Sequence, residues 1–345
     1  MRAAVPILLG ALGAAGCCAF SGPRYQGPKS DHFDGEVFFV EGLELQGPGG
    51  LFKWLSARQH GPWSGYRDLP PGPPPPARVG LGELRVTFVN HATTLVQVDG
   101  LNVLTDPIWS ERASPVSWAG PRRVRPPGLR FEDLPRIDVV LVSHAHYDHL
   151  DLPTLSRLAR AFPRAHFYVG LGAGALLREQ HIRNVRELDW WEELKLGAVT
   201  LAAVPARHFS NRGLCDRDRT LFAGYVLRGP AGAVFFAGDT GYGPHFRAIA
   251  QRYGPLRLAI LPIGAYKPEW FMGEIHMSPA QAVLAHEDLR ARTSVAVHFG
   301  TFDLADDGED EPPQALRLAL AARPGPPARF WVLGFGEGRD VPPLE

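Results

Sequence analysis

Val139, Val140, Leu141 and Val142 form an unbroken apolar run, the pattern of a strand buried on both faces. Shorter apolar or alternating segments predict strands at 84–89, 94–98 and 103–105, with Asp99-Gly100 turning the hairpin between the last two. After residue 150 strands and helices alternate. Strands are expected at 166–169, 199–204, 221–227, 234–237, 258–261 and 294–297, and helices at 153–161, 246–253, 279–289 and 313–322. A β-rich start followed by mixed elements predicts an α/β chain in which two sheets pack face to face with helices outside. The proline-rich run at 69–76 reads as a stiff extended connector. Before it, Tyr25, Phe33, Phe38, Phe39, Phe52, Trp54 and Trp63 recur without a sustained period, which predicts an irregular extension covering apolar surface of the main domain. The expected division is a signal at 1–17, an extension and connector at 18–78, and one domain at 79–345.

The N-terminus adds a targeting expectation. Arg2 precedes an apolar, small-residue run at 3–16 that ends at Cys17-Cys18, too short to span a bilayer and matched to the core of a secretory signal. The segment ending at Cys17 resembles a bacterial lipoprotein processing site, with Ala14 where leucine is more usual. Lipidation of Cys17, a plain cleaved signal and an uncleaved apolar tail are the alternatives. Export to the periplasm or cell envelope is expected, as a membrane-anchored lipoprotein where Cys17 is lipidated. Acidic and basic residues balance at 36 each among 345, so no net field points to nucleic acid, and none is expected as a partner. With Cys17 and Cys18 at the processed terminus, only Cys215 of the three cysteines lies in the body. No disulfide is expected there, and Cys215 reads as incidental.

The candidate chemistry follows the run at 139–142. His144, His146, Asp148 and His149 stand within six positions, and the first two point to one side in extended chain. Neutral imidazoles and carboxylates at this density suit a divalent transition metal. Asp151 is a candidate N-cap of the next helix, with Pro153 in its first turn. Other expected strands also end in ligand-type residues: Asp106, His208, Asp239 (between Gly238 and Gly241) and His298. One shared rim explains them better than separate sheet-edge polar residues. His32, His60, His166, His181, His245 and His286 lack such a context and read as structural or surface residues.

The order His-x-His-x-Asp-His, then His208, then Gly238-Asp239-Thr240-Gly241, then His298 resembles the metallo-β-lactamase fold superfamily. Within it, the chain is similar to the N-acylphosphatidylethanolamine-hydrolysing phospholipase D family. The matching runs are 90–93, 104–108, 112–115, 120–123, 144–151, 187–192, 235–242, 262–266, 270–272 and 297–302, and the match extends from about residue 84 to the C-terminus. This resemblance implies a four-layer αβ/βα sandwich and two Zn2+ ions. His144, His146 and His208 would hold one, Asp148, His149 and His298 the other, and Asp239 would bridge them. Such a pair lowers the pKa of water towards ~7 for attack on phosphorus. Asp148, Asp239 and His276 are the expected catalytic residues; His276 would protonate the leaving oxygen or bind the head group, unless it only shapes a helix entry. His91 and Asp106 are expected to orient ligand imidazoles through their second ring nitrogen, or else to make ordinary strand-end hydrogen bonds. The implied activity is cleavage of N-acylphosphatidylethanolamine to N-acylethanolamine and phosphatidic acid. A lactonase or other ester hydrolase, and a non-catalytic zinc-binding lipoprotein, are the alternatives. Expected partners are the phospholipid substrate, a membrane surface met through an anchor or apolar patch, and a second copy in a possible homodimer. The Arg- and Asp-rich loop at 210–220 departs from the animal enzymes and is expected to border the substrate mouth.

Overall fold

The computed structural model describes residue 18 and residues 20–344. The expected signal at 1–17, with Cys17, lies outside the described residues. Two mixed seven-stranded sheets form the centre. The first contains β1 (Leu84–Asn90), β2 (Thr93–Val98), β3 (Leu101–Thr105), β4 (Val139–Val142), β5 (His166–Gly170) and β6 (Val185–Leu188) in sequential order, with the C-terminal β14 (Gly338–Asp340) outside β1. The second runs in sequence from β7 (Glu193–Leu196) through β8 (Val199–Val204), β9 (Gly224–Gly229), β10 (Gly232–Phe236), β11 (Leu256–Pro262) and β12 (Ala291–Val297) to β13 (Phe330–Trp331). Each sheet has three antiparallel pairings followed by three parallel ones. Seven α-helices are described: α1 (Pro48–Ser56), α2 (Leu152–Ala161), α3 (Gly174–Glu179), α4 (His245–Tyr253), α5 (Glu269–Met272), α6 (Pro279–Asp288) and α7 (Glu311–Ala322).

The apolar run in β4 explains the layering. Val139 and Leu141 belong to the core between the sheets, with Phe88, Leu201, Val226 and Phe235. Val140 and Val142 face the other way, onto Leu155 and Leu158 of α2. A strand between two apolar layers has no polar face to show. Fully burying each such side chain contributes about 1.5–3 kcal/mol. Asp99 and Gly100 both take positive φ, 49° and 80°, as the tight turn between β2 and β3 requires.

Several expectations are corrected. Asp151 occupies the N-cap position of α2, but its carboxylate accepts no helix N–H; it takes Ser110 N and Oγ and the Thr154 hydroxyl. The strand expected from 221 begins only at Gly224, because Leu221 N donates to Leu171 O and Ala223 N to Ser143 O. Those bonds tie the two sheets together beneath the candidate cluster. The extension is not wholly irregular. α1 places Trp54 against Phe271, with ring centroids 5.0 Å apart, while Phe52 and Leu55 stay exposed. Phe33 and Phe38 are buried on Leu221 and Phe222.

Cysteine usage differs most from expectation. Cys18 and Cys215, 197 positions apart, form a disulfide with Cα atoms 5.3 Å apart. Linear spacing carries no sign of this, because the pairing depends on the terminal segment running back along the 210–220 loop. Among the described residues no helix is long and apolar enough to cross a membrane.

Candidate metal centre

The site assembles where strands end. His144, His146, Asp148 and His149 follow β4, Asp106 follows β3, His208 follows β8, Asp239 follows β10, His298 follows β12, and His91 sits in the turn between β1 and β2. Three of these residues hold left-handed backbone, with φ of 46° at His91, 35° at Asp106 and 63° at His298. Strain of this kind persists only where the surroundings over-determine it. Glycines make room for the convergence. A Cβ at Gly264 would lie 1.9 Å from the His298 carbonyl oxygen, and one at Gly238 (φ 61°) would lie 2.5 Å from Ser143 Cβ.

His144, His146 and His208 form one group of facing nitrogens. His144 Nε2 lies 2.7 Å from His146 Nδ1, and His208 Nε2 lies 3.4 Å from the same atom. In each ring the second nitrogen is already committed. His144 Nδ1 lies 2.8 Å from Ser143 Oγ, whose hydroxyl donates to Asp106. His146 Nε2 donates to Asn211 Oδ1 at 2.7 Å, and His208 Nδ1 to Ile275 O at 3.0 Å. Three lone pairs are therefore aimed at a common point, an arrangement that repels itself unless a cation sits between them. Burial, reinforced by neighbouring imidazoles, holds the pKa of His144 and His208 well below normal, and burial also lowers that of His146. Neutral imidazole is the metal-binding form.

The second group is acidic. Asp148 Oδ2 lies 3.2 Å from His149 Nε2 and 3.5 Å from His298 Nε2. Asp239 Oδ2 lies 3.1 Å from each of those nitrogens and 3.8 Å from His208 Nε2, so it reaches both groups. Burial opposes charge on both carboxyls, but the surrounding histidines outweigh it and hold both well below the usual carboxylate range. Burial likewise opposes charge on His149 and His298, yet Asp239 and Asp148 push His149 well up and His298 to about 9. Among the described residues no lysine or arginine pairs with either carboxylate; every ion-pair partner there is a histidine. Positive charge here must come from protons or from a bound cation.

The donors fit such a cation. His149 Nε2 and His298 Nε2, which face the Asp239 carboxylate, are buried without a hydrogen-bond partner, and so is Asp239 Oδ1. Four-coordinate zinc with bonds near 2.0–2.1 Å places its ligands about 3.3 Å apart. The separations of 3.1–3.5 Å around Asp148 and Asp239 lie close to that value. The donor set is nitrogen and oxygen only, and the one cysteine of the body is engaged in the disulfide.

The expected orienting residues divide. Asp106 is fully buried, accepts Ser143 N at 2.7 Å, and lies 2.6 Å from His149 Nδ1, which turns His149 Nε2 to the cluster. His91 does not meet a ligand imidazole through its ring nitrogen; Nε2 lies 2.8 Å from Asp148 Oδ2, and its carbonyl accepts His298 N. His276 joins the cluster, with Nδ1 buried, unpartnered and 3.9 Å from Asp239 Oδ2. It does not cap α6, whose capping box is Ser278 and Gln281. Ser143 and Asn211 went unforeseen. Ser143 adjoins the histidine run, a local signal of its role; Asn211 carries none.

A cavity of about 530 Å³ opens onto the cluster, with His146 and His276 at its base, Phe209, Phe271 and Met272 in its walls, and Leu51 and Leu214 at its rim. The 210–220 loop thus borders the mouth.

Residues 101–299 match the Beta-lactamase superfamily domain. The chain is a metallo-β-lactamase fold hydrolase. Its relatives include N-acyl-phosphatidylethanolamine-hydrolyzing phospholipase D 1 of Caenorhabditis elegans, 41% identical over 251 residues, 70% of each chain. An uncharacterized Mycobacterium tuberculosis protein, Rv0906, is 40% identical over 308 residues, 88% of this chain and 80% of its own. Among solved structures, the metallo hydrolase Igni18 of Ignicoccus hospitalis is 25% identical with a TM-score of 0.55, over 75% of this chain and 99% of its own. The four-layer architecture and a His/Asp cluster able to bind metal are features this hydrolase family shares with the chain.

Proposed function

We propose that this hydrolase is a dinuclear zinc phosphodiesterase that cleaves N-acylphosphatidylethanolamine to an N-acylethanolamine and phosphatidic acid, as an exported protein held at a membrane. The observation that carries the dinuclear reading is Asp239 Oδ2, within 3.1 Å of His149 and His298 and 3.8 Å of His208. In this reading His144, His146 and His208 would hold one zinc and Asp148, His149 and His298 the other, with Asp239 within reach of both groups. When bound, the two ions supply an activated water and polarise a phosphoryl oxygen. The substrate assignment is supported by the 41% identity with the nematode enzyme and by an apolar cavity suited to acyl chains.

The side chains around the metals have separate tasks. Asp106 and Asn211 hold ligand rings in the required tautomer through His149 Nδ1 and His146 Nε2. His91 Nε2 fixes the Asp148 carboxylate. Burial lowers the His276 pKa to about 4, so the ring is neutral and offers the departing oxygen a hydrogen bond without a standing charge. Hydrolysis joins the water oxygen to phosphorus, breaks the bond from phosphorus to the ethanolamine oxygen, and returns a proton to that oxygen.

Incubation with N-acylphosphatidylethanolamine and with a lactone panel, products identified by mass, tests the proposal. N-acylethanolamine and phosphatidic acid are expected, lost with chelator and restored by zinc. Turnover of lactones alone would contradict it.

A further inference from the structure

The 210–220 loop has two sides, and both are engaged. Inward, it grips the segment that carries four of the donors. Asn211 Oδ1 accepts from His146 Nε2 at 2.7 Å, and its own Nδ2 donates to Gly213 O at 2.8 Å, which sets the amide orientation. Arg212 Nη1 donates to both Ala145 O and Leu150 O at 2.9 Å, and its guanidinium lies 3.9 Å from the Tyr147 ring centroid. Ser210 Oγ accepts Ala145 N at 3.1 Å. The peptide groups at both ends of the His146–His149 turn are therefore held by this loop.

Outward, the N-terminal segment braces the loop. The Cys18–Cys215 disulfide is the covalent tie. Asp216 accepts Gly22 N at 2.6 Å with the same carboxylate that accepts Arg212 N and Gly213 N, so the terminal segment and the gripping residues share one anchor. Arg219 O accepts Tyr25 N at 3.0 Å, and Asp218 O accepts Phe38 N at 2.7 Å. A Cβ on Gly213 would lie within 2.8 Å of Ser21, so the two segments are in close contact.

We infer that Asn211 and Arg212 are positioning residues for the metal-binding turn at 144–149, and that the Cys18–Cys215 disulfide locks them in place from outside. The extension is then part of the metal centre's support. An oxidising compartment, where such a bond persists, is where the centre reaches full affinity. This inference rests on the reading that the cluster binds zinc, and it makes the disulfide a determinant of how tightly.

Zinc affinity of the full chain, measured by competition with a chromogenic chelator, tests it together with the visible spectrum of the Co2+-loaded protein. Asn211→Leu should weaken zinc binding about 10–100-fold. Asn211→Asp, which keeps the acceptor, should restore most of that loss. The Cys18→Ser/Cys215→Ser variant should weaken binding roughly tenfold and alter the Co2+ spectrum, an effect on the scale of losing a partner that orients a ligand. Folded wild-type protein reduced by a water-soluble phosphine should match the variant. In that step the disulfide gains two electrons and two protons, and the phosphine takes the oxygen of one water to become its oxide. Unchanged affinity and an unchanged spectrum in the reduced protein and in Asn211→Leu would overturn the inference, even if melting temperature falls. A wild-type chain that binds no zinc would overturn the proposed function instead.

Discussion

The donor cluster and the mouth above it are built on opposite principles. The donors follow strands whose side chains are buried in the sheets, and several of their rings are fixed by a further bond: Asp106 to His149, Ile275 O to His208, Asn211 to His146. The mouth is lined by residues 45–47, α1, α5 and the 210–220 loop, none of which belongs to a sheet. It is held by a disulfide and backbone bonds, and it leaves Phe52 at 75% and Leu214 at 80% exposure. Precision is concentrated where charge must be held, and adaptable apolar surface where a lipid would enter. The regions meet at one loop, so damage to either can be told apart by whether it reaches the metal.

The largest effect is expected inside. Asp239→Asn removes the one carboxylate that reaches both donor groups, and activity should fall by about 10²–10³-fold or more, with bound zinc dropping below two per chain. Full activity in that variant would break the distinction between the regions. At the brace, losing the disulfide should cost about 2–4 kcal/mol of stability, seen as a lower urea midpoint. An unchanged midpoint would mean the terminal segment adds nothing to the fold.

His298 inside the cluster and His245 and His286 outside it should respond to pH with opposite sign. Burial lowers His245 to about 3 and His286 to about 4, with Arg207 and Arg323 adding to the effect. Their folded values lie below the ordinary ~6.5, so their contribution is present above ~6.5 and lost as pH falls through 4 to 3. In the metal-free chain His298 is raised to about 9, so its contribution is present below ~6.5 and lost as pH rises through 9. Metal-free protein should therefore be most stable near pH 6.5, and zinc should abolish the alkaline loss. Denaturation midpoints across pH 4–10, with and without zinc, check this; identical alkaline limbs would count against it. The smallest effect on the centre belongs to Phe52→Ser/Leu55→Ser. This variant should keep its zinc and its turnover of a dispersed short-chain substrate, and lose several-fold on vesicles.

Legibility in the sequence follows the same division. The β4 run, the turn at Asp99-Gly100, helices α2, α4, α6 and α7, and every residue of the donor cluster stood out, because burial on two faces and clustered ligand chemistry leave local traces. β6 and β7 alternate weakly and are half exposed, so their pattern falls below that of a loop. α1 was hidden because its apolar residues face both Phe271 and solvent. The disulfide, the Asn211 bond to His146 and the Asp151 bond to Ser110 join residues far apart in the chain, which no local period encodes.

Side chains from four loops, those after β4, β8, β10 and β12, should enclose two cations. Anomalous scattering from crystals of the zinc-loaded protein, recorded at the zinc edge, measures it directly. The account predicts two peaks: one within bonding distance of His144, His146 and His208, the other of Asp148, His149 and His298, with Asp239 between them. A single peak, or a second one away from these residues, would contradict it.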